Sequence, residues 1–405
     1  MYIHRTIESV IRRMSEIYPV VLVTGARQVG KTTVLRKMKP AHREISLDSM
    51  RMRRDAKTDP DLFLSTYPPP LFIDEIQYTP DLLPSIKGIV DHRQEKGLYW
   101  LTGSQHLPIM QGVAESLAGR IGIIHLGGLS LPEICGQPDV EKFWPTKTWI
   151  KARASTAKVL RPQEIYQIIW RGQYPVFYEG SSIQAHEFFD SYITAYLERD
   201  IQQLSQVGDQ IQFYGLLECL ANRVGQQINF SNIAKDLQCS APTIMRWVSI
   251  LQGTGMIYVL PAFHKNVNKR LTKMPKIYFL DTGLLCYLLN ISSEESLAPS
   301  PFAGSIIENF VIAEIIKDYW HHNLRPKISF FRDRDQHEID LLMEVDGKVH
   351  PIEIKKKSNP NRADIQSFDI LKKYGVDLGA GVVICGTFEP FMVAPEVTAI
   401  PLFYI

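Results

Sequence analysis

Three groups of residues have types and spacings that could do chemistry. The first is Gly25-Ala26-Arg27-Gln28-Val29-Gly30-Lys31-Thr32-Thr33, placed after the aliphatic run at residues 20–23 and before a helical pattern. The spacing G-x-x-x-x-G-K-T lets successive backbone N–H groups wrap a triphosphate, with glycine where a Cβ would hinder the turn. A helix N-terminus just beyond adds partial positive charge where phosphates would lie. Lys31 is then placed for the β- and γ-phosphates, and the Thr32 hydroxyl for Mg²⁺.

The second group is Asp74-Glu75, at the end of the apolar strand residues Leu71-Phe72-Ile73. Asp74 would hold the Mg²⁺ shell, and Glu75 would orient or deprotonate the attacking water. A further buried strand at residues 98–105 ends in Thr102-Gly103-Ser104-Gln105. In a parallel sheet that tip lies beside the Asp74-Glu75 strand, close enough for Ser104 or Gln105 to sense a γ-phosphate.

The third group is Asp340, then Glu353-Ile354-Lys355 one hairpin away beyond a turn at Asp346-Gly347, with Glu308 on a preceding helix. Glu353 and Lys355 alternate with Ile352 and Ile354, so acid and lysine share one face of the strand. Asp340, Glu353 and Glu308 offer hard oxygens to Mg²⁺ or Mn²⁺, while Lys355 could orient or activate water at a scissile phosphate. Two carboxylates about 4 Å apart repel by about 4 kcal/mol at an effective dielectric near 20, so a buried acidic cluster needs a cation. Lys355 supplies part of that charge without a metal, and the same pattern also fits a salt-bridged hairpin. As a whole it resembles the PD-(D/E)xK nuclease fold, either active or having lost cleavage.

The elements that must position these groups follow from periodicity. Ile7, Val10, Ile11, Met14 and Ile17 recur at helical spacing ahead of the first strand, and residues 43–47 read as a second strand. Phe188, Phe189, Tyr192, Ile193, Tyr196, Leu197, Ile201 and Leu204 make one broad core-facing stripe on a helix at 183–207, suited to a helical lid. From residue 211 the pattern is helix, helix, tight turn, helix and strand. Ser231 and Ser240 are the expected caps, Pro242 sits in a first turn, and a strand returns at 277–280. That order is a helix-turn-helix with a wing. Between the wing strands, residues 264–276 (His264-Lys265-Asn266-Val267-Asn268-Lys269-Arg270-Leu271-Thr272-Lys273-Met274-Pro275-Lys276) are rich in cations and free of acids, as a phosphate-neutralising loop would be. The helix at 241–252 offers only Thr243 and Arg246 as polar readers, so any DNA contact here would be to backbone rather than bases. A winged helix also serves as a spacer or a protein dock.

Together the phosphate loop, Phe72-Ile73-Asp74-Glu75-Ile76-Gln77, Leu101-Thr102-Gly103-Ser104-Gln105, and Leu117-Ala118-Gly119-Arg120 before Leu129-Ser130-Leu131-Pro132-Glu133 resemble AAA-type ATPases of a bacterial and archaeal family. In that family the ATPase is joined to a C-terminal domain of unknown function. The resemblance implies ATP as the nucleotide and a parallel five-stranded sheet with an extra strand between the phosphate-loop and Asp-Glu strands. It also makes Arg120 the candidate cation for transition-state charge, acting within its own chain or on a neighbour in a homo-oligomer.

Composition bounds the rest. A chain of 405 residues, 45% apolar and 22% charged, can bury several cores, and a net charge of +2 neither requires nor excludes nucleic acid. The five cysteines stand singly, which argues against zinc and a disulfide framework and suits a reducing cytoplasm. No membrane span or leader is visible. The expected α/β architecture is a P-loop sheet domain (1–150), a helical lid (151–208), a winged helix (209–285) and a nuclease-like domain (286–405). The expected function is Mg²⁺-dependent ATP hydrolysis coupled to DNA binding or processing. The alternative is a nucleotide-controlled switch or scaffold that docks a protein partner.

Overall fold

The computed structural model describes residues 2–38, 41–103, 116–180, 182–196, 210–263 and 274–405. Strand β1 (Val20–Thr24) is buried along its whole length, as an uninterrupted aliphatic run should be when helices cover both faces of a parallel sheet. It lies between β4 (Tyr99–Gly103) and β5 (Ile121–His125) in an all-parallel sheet completed by β2 (Arg43–Ser46) and β3 (Leu71–Asp74). The order is β2-β3-β4-β1-β5, so β4 separates the phosphate-loop strand from the Asp-Glu strand. Parallel pairing puts every strand's C-terminal end on one edge, which gathers the residues after Thr24, Asp74 and Gly103.

Two helices, Met50–Thr58 and Pro60–Thr66, follow β2, the first over residues 51–57 that read as a polar, basic stretch. The first buries only Ala56, so it has no apolar stripe to announce it. The second is started by Asp59, which accepts from Leu62 N at 2.9 Å, with Pro60 in its first turn. A third unanticipated helix, Lys147–Thr156, is capped by Thr146.

The middle region contains helices Pro162–Arg171, Ala185–Tyr196, Gln210–Ala221, Phe230–Asp236 and Ala241–Gly253, then the antiparallel pair β6 (Ile257–Leu260) and β7 (Lys276–Phe279). Ser240 caps its helix as expected, accepting from Thr243 N at 3.2 Å. The Phe230–Asp236 helix is capped by Asn229 and not by Ser231, because the Asn229 side-chain Oδ1 accepts from both Ser231 N and Asn232 N. Residues 197–209 and 264–273 lie outside the described residues, and with them the second half of the expected lid helix and most of the basic loop.

The second sheet has the order β12-β13-β11-β10-β9-β8. Strands β8 (Ile328–Arg332), β9 (Glu338–Val345) and β10 (Lys348–Lys355) form an antiparallel meander. Helix Gln366–Lys373 then returns the chain so that β11 (Gly381–Cys385) runs parallel to β10. The edge is made by β13 (Val397–Pro401), parallel to β11, and β12 (Phe391–Ala394), antiparallel to β13. Helix Ala303–His321 precedes this sheet and touches β5, β7 and β10. It is buried on every side, with residues from Ile306 to Tyr319 in the same core cluster as Val21, Val23 and Ile124 of the first sheet. One hydrophobic core therefore runs from the phosphate-loop sheet through this helix to the second sheet. Among the described residues no helix is long and apolar enough to cross a membrane.

Candidate functional site

The phosphate loop bridges β1 and helix Lys31–Lys37, with Gly30 left-handed at φ 95° just before the helix. Gly25 is required by a neighbour: a Cβ there would sit 2.1 Å from the Leu126 carbonyl oxygen. We expect Gly25→Ala to displace the loop or the strand end behind it, seen as loss of nucleotide binding together with a lowered melting temperature. Lys31 is 6% exposed and folds back, its Nζ donating to the carbonyls of Gly25 at 3.1 Å and Ala26 at 2.8 Å. Thr32 Oγ1 donates to Asp74 Oδ1 at 2.6 Å, so the two residues expected to share a Mg²⁺ are already in contact across the sheet edge.

Thr102, on β4, was not distinguished from its neighbours by its sequence setting, yet it anchors both acids. Its Oγ1 donates to Asp74 Oδ1 at 2.5 Å and accepts from Glu75 N at 3.1 Å. Glu75 is left-handed at φ 60°, an uncommon conformation for a non-glycine residue, and its carboxylate takes the Gln77 side-chain amide. Ser46 Oγ completes the set at 3.4 Å from Asp74 Oδ2. Ser104 and Gln105 lie outside the described residues.

Arg120 departs from expectation. It precedes β5, at the edge of the sheet opposite the phosphate loop, and pairs with Asp91, its Nη2 lying 3.0 Å from Asp91 Oδ2. The five residues of β5 put about 16 Å of strand between it and the loop edge. Arg120 therefore does not reach the phosphate site of its own chain.

A second missed residue is Arg5. Only 4% exposed, it donates Nη1 to Val29 O at 2.9 Å and Nη2 to Gly127 O at 2.9 Å and Gly128 O at 3.0 Å. Its Nε lies 3.0 Å from Glu133 Oε2. Glu133, 1% exposed, also caps its own short helix with Ser130 and faces His321 Nδ1 at 3.4 Å. Burial works to raise the Glu133 pKa, but Arg5, then His321 and the Ser130 N–H, hold it well below the usual carboxylate range. His321 itself is pushed down by burial, and its Nε2 accepts from Gly127 N at 3.2 Å. With Nε2 accepting, the neutral ring carries its proton on Nδ1, toward Glu133. One helical turn earlier Lys317 donates to Leu129 O at 2.9 Å and Glu314 Oε1 at 2.6 Å, while Leu131 N donates to Glu314 Oε2 at 2.8 Å. The helix that carries Glu308 is thus bolted at its other end to the segment behind the phosphate loop.

At the C-terminal cluster, β9 and β10 pair with Leu341 opposite Ile352, which brings Asp340 and Glu353 side by side. Lys355 Nζ is 2.5 Å from Glu353 Oε1 and 4.0 Å from Asp340 Oδ2, and Ile354 N donates to Asp340 Oδ2 at 2.8 Å. Burial, reinforced by Asp340, pushes the Glu308 carboxyl up to about 7 and that of Glu353 up to about 8. Glu353 Oε2 is buried without a hydrogen-bond partner. The ligand atoms of Glu308, Asp340 and Glu353 are not gathered within 4.8 Å of one another, so the three carboxylates do not fit one metal as they stand. The only acid–histidine set among the described residues with ligand atoms within 4.8 Å of one another is Asp333, Asp335 and His337, on the exposed β8–β9 turn. Lys276 also departs from the expected surface role: it is 1% exposed and reaches into this cluster from β7, where its Nζ lies 3.2 Å from Glu308 Oε1 and 2.5 Å from Glu338 Oε1.

Comparison with known proteins assigns part of this. Residues 18–135 match the family model described as an AAA domain. Residues 162–295 and 303–405 match two models each described as a domain of unknown function. Uncharacterized proteins of Mycobacterium tuberculosis (strain ATCC 25618 / H37Rv) and Mycobacterium bovis (strain ATCC BAA-935 / AF2122/97) are each 29% identical over 353 residues, 87% of this chain and 73% of theirs. A Walker-type ATPase of Pyrococcus abyssi aligns at TM-score 0.37 and 12% identity over 70% of this chain and 94% of its own. A signal transduction ATPase with numerous domains from Pyrococcus horikoshii aligns at 0.27 and 12% over 80% and 48%. At these scores the two solved structures add nothing to the match at residues 18–135. Residues 18–135, which carry the phosphate loop and the Asp74-Glu75 strand end, are thus similar to AAA domains, and the two regions that follow are similar to domains of unknown function.

Proposed function

We propose that this protein hydrolyses ATP with Mg²⁺ at the phosphate loop and uses the cycle to engage or process DNA through the regions that follow. The observation that carries the first half is the 2.6 Å contact between Thr32 Oγ1 and Asp74 Oδ1, which joins the loop to the acid strand. Backbone N–H groups of residues 25–33 would cradle the phosphates, and Lys31 would give its charge to them on leaving the loop carbonyls. Bound at Thr32 and Asp74, Mg²⁺ would neutralise charge on the β- and γ-phosphate oxygens. Glu75 would take the proton of the attacking water, its backbone held by Thr102. Arg120 enters this scheme only as a residue lent to a second copy in a homo-oligomer.

For the second half, the α–β–β–β–α–β order from Ala303 to Cys385 and the pairing of Asp340 with Glu353 support a nuclease-like reading, with Lys355 beside both. The three-helix unit with its β6–β7 pair supports a winged helix, on which Arg246 is exposed. A switch or scaffold is the second reading, favoured by Lys276 standing among the carboxylates. Single- and double-stranded DNA with Mg²⁺ or Mn²⁺ separates the two. Cleavage by the wild type that is lost in Asp340→Ala and Lys355→Ala is the expected result. Cleavage unchanged in both variants removes the site, and neither cleavage nor salt-sensitive DNA binding by the wild type selects the switch.

A further inference from the structure

We infer that Lys276 is the built-in cation of the C-terminal carboxylate cluster, and that the β6–β7 unit, by holding it there, decides whether the cluster can take a divalent metal. This rests on the reading of Glu308, Asp340 and Glu353 as metal ligands and adds a control to it.

Lys276 opens β7, and Tyr278 lies two residues on along the same face of the strand. Both converge on one atom, Glu308 Oε1: the ammonium at 3.2 Å and the phenol, donating, at 2.5 Å. The other carboxylate oxygen is covered by the backbone at Gly225, where a Cβ would lie 3.2 Å from Oε2. Gln227 pairs with Lys276 in an isolated bridge, so the backbone on both sides of the lysine is tied down. Lys276 Nζ also meets Glu338 Oε1 at 2.5 Å and lies 5.4 Å from the Phe330 ring centre, while Arg332 Nη1 stands 3.3 Å from Glu338 Oε2. Glu308 is thus held by the middle region through Oε1, with the Gly225 backbone packed against Oε2.

Stripping a lysine ammonium of water costs several kcal/mol unless the acids around it return that energy. At 1% exposure Lys276 is explained by the acids, and the acids by Lys276. A divalent cation answers the same need with twice the charge, and it would claim the same oxygen of Glu308. Lysine and metal are therefore alternatives. On the side of Asp340 the cluster keeps an open acceptor, the buried Glu353 Oε2. Withdrawal of Lys276, by movement of β7 away from the Ala303–His321 helix, would free Glu308 to join Asp340 and Glu353. Until then Lys276 and Lys355 are the cations that face the cluster.

The test is Mn²⁺ binding to the full chain without nucleotide, by calorimetry and by electron paramagnetic resonance, in the wild type, Lys276→Met and Tyr278→Phe, each with and without Asp340→Asn. The component lost on adding Asp340→Asn reports this cluster and not the phosphate loop. It is expected to strengthen by about tenfold in Lys276→Met, the size usual for a group that controls a ligand's orientation. A smaller gain is expected in Tyr278→Phe, which keeps the lysine and serves alone if Lys276→Met does not fold. Equal Asp340-dependent affinity in the wild type and both variants overturns the control and leaves the metal site standing. Absence of any Asp340-dependent binding, in every variant, overturns the metal site and the control with it.

Discussion

Replacing Glu75 by Gln should lower nucleotide turnover by about 10²–10⁴ while nucleotide binding persists. The residue sits one position past the end of β3, at the sheet edge shared with the phosphate loop, and its left-handed backbone turns it out of the strand direction. Gln tolerates the same conformation as Glu and matches it in shape, so neither the turn nor the Thr102 hydrogen bond to its N–H should suffer. What is removed is the ability to accept a proton. Lys31→Ala should behave differently, losing binding itself, since the loop then lacks the lysine at the helix start that would reach the β- and γ-phosphates. Equilibrium binding of a fluorescent nucleotide combined with single-turnover hydrolysis separates the two outcomes. Wild-type turnover in Glu75→Gln would assign the proton acceptor elsewhere.

The phosphate loop and the Asp74-Glu75 pair were legible because each is a contiguous signal whose spacing is dictated by the ligand. The strand between the phosphate-loop and Asp-Glu strands was expected from the family resemblance alone, and β4 occupies that place. Residues that act at long range left no such trace. Arg5 is a single arginine in an unremarkable N-terminal stretch, and its partners Val29, Gly127, Gly128 and Glu133 are brought to it by the fold. Lys276 ends a run of cations, which invites a surface reading, yet strand alternation turns it inward with Tyr278. Thr102 shares the end of its buried strand with Ser104 and Gln105, and only the pairing of that strand with the acid strand singles it out. Asp340, Glu353 and Lys355 were legible as neighbours because a hairpin fixes cross-strand pairs. That a lysine from another region would share Glu308 was not, since no local pattern encodes it. The missed helices at Met50–Thr58 and Lys147–Thr156 expose most of their surface or mix their apolar residues among cations, so the 3.6 periodicity is diluted.

Arg5→Met should destabilise the protein by about 3–5 kcal/mol near neutral pH, the usual result of removing one partner of a buried ion pair and leaving the other charged. The loss should depend on pH in a definite direction. With Arg5 present, the folded Glu133 carboxyl lies below its ordinary value of 4.5, so its contribution is complete above that pH and is lost as pH falls toward the depressed value. Without Arg5 the largest influence that lowers the carboxyl is gone while burial still acts to raise it, so the carboxyl stands higher than in the wild type. The group then contributes less stability near neutral pH than it does with Arg5, and the two proteins converge where both carboxyls are protonated. The gap between wild type and Arg5→Met should therefore narrow as pH falls and widen as pH rises toward neutrality. Urea midpoints measured from pH 2 to pH 7 read this directly. Glu133→Gln introduced into both proteins should remove the widening, since no ionisable group remains at that position. A gap of constant size across the range would mean that Arg5 acts only through its hydrogen bonds to Val29, Gly127 and Gly128. The widening gap would instead make the charge pair the fastening between the phosphate loop and His321, on the helix that carries Glu308.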